Sequence, residues 1–229
     1  VRLVAILSWY DEPAWALTEL VASLATAGVD HLVAVDGAYM LYPEGRAQSP
    51  GEQAQAILAG AQGADMGVTV HCPQDVWFGN EIEKRSFAFK AAHMVARPEV
   101  DWLWVVDADE RIQEALGLRD ALERTECDVA TLMIDEVNDG TREGAFPLRK
   151  FFRAQFHGIH LERNHFTYLT GDGQLLFEGY CIQKPELVEA DNFPFVRIDH
   201  RGGRTKTRDF QAQVYYDRRK EHGAELVPG

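Results

Sequence analysis

Residues 102–110 read Trp-Leu-Trp-Val-Val-Asp-Ala-Asp-Glu: five apolar residues that run without a break into two aspartates and a glutamate. A short, continuous apolar run with β-branched and aromatic members is the pattern of a strand buried on both faces. In open α/β sheets ligands bind beyond the carboxyl ends of such strands, so the acidic residues at its exit are where chemistry is expected. The same grammar recurs upstream. Val1–Leu7 (VRLVAIL) is a second buried-strand run, stopping at Ser8-Trp9-Tyr10. Asp11 follows as an N-cap with Pro13 in the first turn, and Leu17, Leu20, Val21 and Leu24 recur at helical spacing until Gly28. A strand over His31–Val35 ends in Asp36-Gly37 and leads into a loop rich in proline and glycine, a helix near 52–61 and a short strand over 68–70. A helix is predicted from Asn80, with Asn80 and Glu83 close to a capping box and Phe87, Ala91, Met94 and Val95 as its buried face. Strands alternating with helices through residue 135 predict an α/β fold: a Rossmann-like, mostly parallel sheet flanked by helices.

Downstream the rhythm changes. Strands are expected over 129–134 and 149–153, then an irregular stretch holding His157, His160 and His165, then a helix over roughly 209–222 with a basic end. With no repeat, low-complexity tract or linker, the 229 residues read as one domain, 1–135 binding a ligand at the strand ends and 136–229 elaborating it as a lid or second-substrate side. No apolar run reaches the eighteen or so residues that span a bilayer, and no basic-then-apolar leader opens the sequence, so a soluble, cytoplasmic protein is expected. The cysteines, Cys72, Cys127 and Cys181, are too far apart for a zinc ribbon or redox pair and are expected to be reduced thiols.

The formal net charge is −13, and it is unevenly placed: residues 1–140 carry 9 basic and 24 acidic side chains, residues 141–229 carry 14 and 12. Affinity for nucleic-acid backbones comes from lysine and arginine releasing counterions, so this balance excludes a generic nucleic-acid binder. An acidic first half suits a divalent cation, with the basic second half meeting an anionic ligand from the other side. Asp107 and Asp109, one residue apart after a buried strand, can turn both carboxylates toward one ion shared with phosphate oxygens, for which magnesium or manganese is expected.

These residues resemble the nucleotide-sugar glycosyltransferases of the GT-A fold, in particular family 2. The opening strand of that family ends in a Pro/Thr-x-Tyr-Asn-Glu pattern, matched by Ser8-Trp9-Tyr10-Asp11-Glu12, and its second strand ends in an aspartate that reads the base, matched by Asp36. A helix arginine near the nucleotide is matched by Arg85, and the DxD motif by Asp107-Ala108-Asp109, where the first aspartate contacts ribose and the second the metal. His200, in RIDHRGGRTKTR, matches the C-terminal histidine that often completes the metal site. The resemblance implies a Mn²⁺- or Mg²⁺-dependent transfer of a sugar from a nucleoside diphosphate donor to a hydroxyl acceptor: glycan, small molecule, protein or modified nucleic-acid base. It covers residues 1–135 well and 145–220 loosely, and lacks the Glu-Asp pair usual at the catalytic-base region.

Within that reading Ser8, Tyr10, Glu12, Asp36, Arg85, Asp107 and Arg204 are the nucleotide-binding candidates, and Asp107, Asp109 and His200 the metal ligands. Tyr10 is expected to stack on the base. Asp36 as an acceptor suits the ring N3–H of uracil, which favours a UDP-sugar. Arg201, Arg204, Lys206 and Arg208 around Gly202-Gly203 are expected to fold over the diphosphate. An inverting reaction needs a general base near the attacking hydroxyl, for which Glu162, His165 and Asp135 are the candidates. A nucleotidyltransferase of related fold and a noncatalytic nucleotide-sugar-binding module are the rival readings. A dinucleotide oxidoreductase is excluded for want of GxGxxG, and a haloacid-dehalogenase-like phosphatase by the position of DxD and the Glu110-Arg111 that follows it.

Overall fold

The computed structural model describes residues 1–78, 81–138, 141–162, 167–178, 197–201 and 206–222; at 131–138, 141–148, 197, 199–201, 206–209, 212, 219 and 222 the backbone course alone is described. Its elements run β1 (Leu3–Ser8), α1 (Ala14–Thr26), β2 (His31–Val35), α2 (Gly51–Gly63), β3 (Gly67–His71), α3 (Ile82–His93), β4 (Trp102–Asp107), β5 (Glu110–Glu114) and α4 (Leu118–Arg124). There follow β6 (Val129–Asn138), β7 (Thr141–Arg153), β8 (Ile159–Leu161), β9 (Thr167–Thr170), β10 (Leu175–Glu178), β11 (Arg197–Arg201) and α5 (Lys206–His222).

Eight strands form one sheet in the order β3-β2-β1-β4-β7-β6-β11-β5, and six of them point the same way, with β7 and β5 reversed. The continuous apolar strands belong at the centre because helices cover both faces, so successive side chains of β1 divide between two cores. Leu3, Ala5 and Leu7 face Leu17, Leu20, Val21 and Leu24 of α1 and Ile57 of α2, together with Trp102 and Trp104. Val4 and Ile6 face Ala88, Phe89 and Ala92 of α3, together with Leu103 and Phe152. The second part of the chain adds the β6–β7 hairpin and β11 to the sheet and lays a small antiparallel sheet, β10-β9-β8, against α3 through Ile159, Leu161 and Tyr168. The mostly parallel α/β sheet flanked by helices is therefore the fold. Among the described residues no helix is long and apolar enough to cross a membrane.

Several local expectations are corrected. Asp11 does not cap α1: the N-cap is Pro13, whose carbonyl takes the N–H groups of Ala16 and Leu17, while Asp11 itself has φ +52°. α3 begins at Ile82 behind a left-handed Glu81 (φ +85°) that makes no side-chain cap, and Asn80 lies outside the described residues. Met94 is 81% exposed, because α3 ends at His93 and its buried stripe is Ile82, Ala88, Phe89 and Ala92. β5 and α4 were not foreseen, and His160 lies on β8 of the small sheet rather than in an irregular stretch, with His157 on the turn before it. α5 starts at Lys206, so Lys206 and Arg208 belong to a helix and not to a loop.

Candidate functional site at the strand ends

The parallel register brings the predicted residues to one edge: Ser8, the last residue of β1, is paired with Val35 on one side and Asp107 on the other. Asp36 and Asp107 therefore flank the end of β1.

At the β2 end, Asp36 is 1% exposed, and its carboxylate accepts from the Gly37 and Ser49 N–H groups at 2.7 Å each and from the Ser49 hydroxyl at 2.6 Å. Burying a carboxylate without such donors would be costly. Its neighbours hold the loop equally closely: the Trp77 indole donates to the Asp36 carbonyl at 2.6 Å, and Ser49 Oγ accepts the Asp11 N–H. Gly37 has φ +104°, and a Cβ there would lie 2.5 Å from the Ala47 carbonyl oxygen, so glycine is required. Asp36 thus sits inside the loop, bonded to it, rather than presenting an open acceptor to a base.

Lys84, on the first turn of α3, rises into this region. It is 1% exposed, and its ammonium donates to the carbonyls of Trp9 (2.7 Å) and Gly37 (2.8 Å) with the Tyr39 ring 5.3 Å away. Burial lowers its pKa to about 7 against the pull of Asp36.

At the β4 end a chain of alternating charges forms. Asp107 takes the Lys150 ammonium at 2.9 Å and faces the Arg85 guanidinium at 3.6 Å; Arg85 also meets Glu81 at 3.5 Å. Lys150, from β7, bonds Glu110 as well, and Glu110 accepts the Asp107 N–H at 2.9 Å, closing the Asp-Ala-Asp-Glu turn. Lys150 and Glu110 are both buried. Burial alone would lower the Lys150 pKa, but the two carboxylates outweigh it and keep the ammonium charged; Glu81 and Asp107 do the same for Arg85.

Around the mouth lies an aromatic cluster. Tyr10 meets Tyr42 edge-on at 5.3 Å and accepts the Arg46 N–H, and Tyr215 of α5, 3% exposed, packs 5.6 Å from Tyr39 and 6.1 Å from Tyr42. Glu12 is tied by its N–H to Gln53 of α2.

On the other side, Glu162 is exposed at the end of β8, where its N–H bonds the Thr167 carbonyl and the adjacent Leu161 N–H bonds Ser86, the residue after Arg85. Glu162 therefore leaves the small sheet beside the helix turn that carries Arg85. His165 and Arg204 lie outside the described residues, as do the side chains of Asp135 and His200. The backbone of β11 pairs His200 with Glu110 of β5 and with Glu136 of β6, and Asp199 with Asp135, so His200 stands one register position from Asp109.

For a divalent cation the donor set divides. Asp107 does not fit a ligand, since it is engaged by two fixed cations, and no group of three His, Cys, Asp or Glu converges among the described residues. Asp109 lies on the turn between β4 and β5, and the backbone of β11 brings His200 opposite Glu110 beside that turn. Lys84, Lys150, Glu110 and Tyr215 were not foreseen from sequence. The one available signal was that Glu110 directly follows the two aspartates.

No protein-family model matches the chain, and no curated protein matches it. Among solved structures it is similar to S. aureus TarS, in two crystal structures, with TM-score 0.42 and 20% identity over 63% of this chain. The chain spans 23% of the longer TarS chain and 38% of the shorter, residues 1–349.

Proposed function

We propose that the protein is a glycosyltransferase that moves a sugar from a nucleoside diphosphate sugar, a UDP-sugar, to a hydroxyl acceptor with inversion at the anomeric carbon. The observation that carries this reading is the register of Ser8 between Val35 and Asp107, with the Arg85 guanidinium 3.6 Å from Asp107: the strand ends put a carboxylate suited to a ribose beside a fixed cation suited to a diphosphate. Sugar transfer needs charge stabilisation on the departing diphosphate, and a preorganised guanidinium supplies it without moving a proton. Asp109 and His200 would hold a Mn²⁺ or Mg²⁺ ion, which adds Lewis-acid stabilisation of the same oxygens. Tyr10 and Tyr42 provide the aromatic surface for the base. The uridine assignment requires Asp36 to exchange the Ser49 hydroxyl for the ring N–H, and tightest binding of CDP or ADP among the nucleoside diphosphates overturns it.

Glu162 is the base in this proposal, because it emerges beside the Arg85 turn from the part of the chain that carries the basic residues. Glu162→Gln is expected to lower turnover roughly a hundredfold to ten-thousandfold with UDP affinity unchanged. The test is a screen of donors and acceptors for release of nucleoside diphosphate, with and without chelator. Asp109→Asn is expected to abolish the activity. Full turnover in chelator removes the metal, wild-type turnover in Glu162→Gln removes the base, and a retained anomeric configuration removes inversion.

A further inference from the structure

We propose that Lys84 is a positioning residue for the donor: its buried ammonium ties the loop after β1 to the loop after β2, so that the two walls of the nucleotide crevice move as one. The proposal rests on the reading of that crevice as a nucleotide site and adds to it the group that holds it in shape.

The tie lies beyond the sheet. The last ladder-type bond between the two strands is the Trp9 N–H to the Val35 carbonyl, after which the chains diverge toward Tyr10 and toward Gly37. The two carbonyls that Lys84 takes, Trp9 and Gly37, are at that divergence. Each immediately adjoins a candidate binding residue, Tyr10 on one loop and Asp36 on the other. The ammonium's remaining side faces Tyr39, which packs on Tyr215 of α5. Ordinary core packing does not call for a lysine here: two buried carbonyls can be served by neutral donors, whereas an ammonium in an enclosed site costs several kcal/mol of desolvation.

The adjacent charges indicate what the cation does. Asp36, Glu81 and Glu12 favour the charged form, Arg85 opposes it, and burial opposes it most. The balance leaves Lys84 titrating at about 7. A diphosphate brought to the strand ends adds negative charge close to this balance point, so donor binding is expected to draw a proton onto Lys84 near neutrality. Binding energy is thereby linked to formation of the charged, carbonyl-bonded tie.

Two measurements test this. Hydrogen–deuterium exchange without ligand reads the tie alone: Lys84→Met is expected to lose protection in residues 9–12 and 37–49 together, and unchanged exchange in either segment overturns the proposal. Calorimetry of UDP with manganese chloride, between pH 6.5 and 8.5 in buffers of different ionisation enthalpy, reads the link to the donor. Wild type is expected to take up part of a proton, and Lys84→Met to bind at least about tenfold more weakly. Lys84→Arg, permanently charged, is expected to bind without uptake from this position, and it serves where the methionine variant does not fold. Uptake undiminished in Lys84→Arg, or UDP affinity in Lys84→Met within twofold of wild type, overturns the proposal. Failure of wild type to bind UDP, GDP, CDP or ADP instead overturns the nucleotide reading, while the exchange result still decides the tie.

Discussion

Two lysines are buried at the strand ends, and their surroundings differ. Lys84, at the β2 end, is held by carbonyl dipoles, with no carboxylate bonded to its ammonium among the described residues, and burial brings its pKa down to about 7. Lys150, at the β4 end, lies between Asp107 and Glu110, and the paired carboxylates raise its pKa above the ordinary lysine value despite the same burial. The comparison separates what enclosure does to a charge from what pairing does. Two bonded carbonyls, with carboxylates acting only from a distance, leave an ammonium close to giving up its proton; two bonded carboxylates hold it charged. The β2 end can therefore answer to pH through its lysine, whereas at the β4 end the lysine stays charged and it is Glu110, whose pKa burial raises to about 7, that lies near its titration point.

The largest test of this contrast is Lys150→Met, which leaves Glu110 buried without its counter-charge and is expected to cost about 3–5 kcal/mol in urea unfolding. Glu110→Gln in the same background should recover part of the loss, since Asp107 keeps Arg85 and is 39% exposed at its side chain. A Lys150→Met protein as stable as wild type would remove the contrast.

The next effect is one of pH. Lys84 titrates at about 7 when folded and at about 10.4 in the unfolded chain, so between these values the unfolded state holds more protons. Its contribution to stability therefore rises with pH over that window, by about 1.4 kcal/mol per unit, and is constant below it. The difference in unfolding free energy between wild type and Lys84→Met should shift in favour of wild type by about 2–3 kcal/mol from pH 7 to 9. A difference that does not change with pH would mean that Lys84 keeps its proton as Lys150 does.

The smallest effect sharpens the β2 end. Ser49→Ala removes one of three donors to the buried Asp36 and the acceptor of the Asp11 N–H, at an expected cost of about 1–2 kcal/mol by thermal or urea unfolding. No loss of stability would show that the Gly37 and Ser49 N–H groups suffice to hold that carboxylate.

The same contrast explains what could be read from the sequence. Buried apolar runs such as 1–7 and 102–106 announce central strands, and the residues that follow them are brought to one edge of the sheet by the parallel register, which is why the common placement of Ser8, Asp36 and Asp107 is legible in advance. The placement of Lys84 and Lys150 is not. In a sequence a lysine within a helix such as IEKRSFAFKAAH, or a strand such as LRKFFR, has the pattern of a solvated side chain, and its burial follows from partners 47, 75 or 43 positions away. β5 was missed for a related reason. ERIQE carries a single apolar residue at a sheet edge, and only Glu110 and Ile112 are buried. The start of α3 was misplaced because Asn80 and Glu83 mimic a cap, whereas the backbone enters the helix through a left-handed Glu81.

The edge position of β5 bears on how the molecule assembles. β5 leaves the Asp-Ala-Asp-Glu turn, yet its neighbour in the sheet is β11, which pairs Glu110 with His200, ninety residues later along the chain. Closing a loop of that length is entropically slow, and β11 must itself settle beside β6. During synthesis the strands that hold Tyr10, Asp36 and Asp107 can pair as soon as β4 emerges, while the far wall of the turn waits for almost the whole chain. A nascent chain can therefore bring Ser8, Asp36 and Asp107 together at the ends of β1, β2 and β4 long before β11 closes the sheet beside the Asp-Ala-Asp-Glu turn.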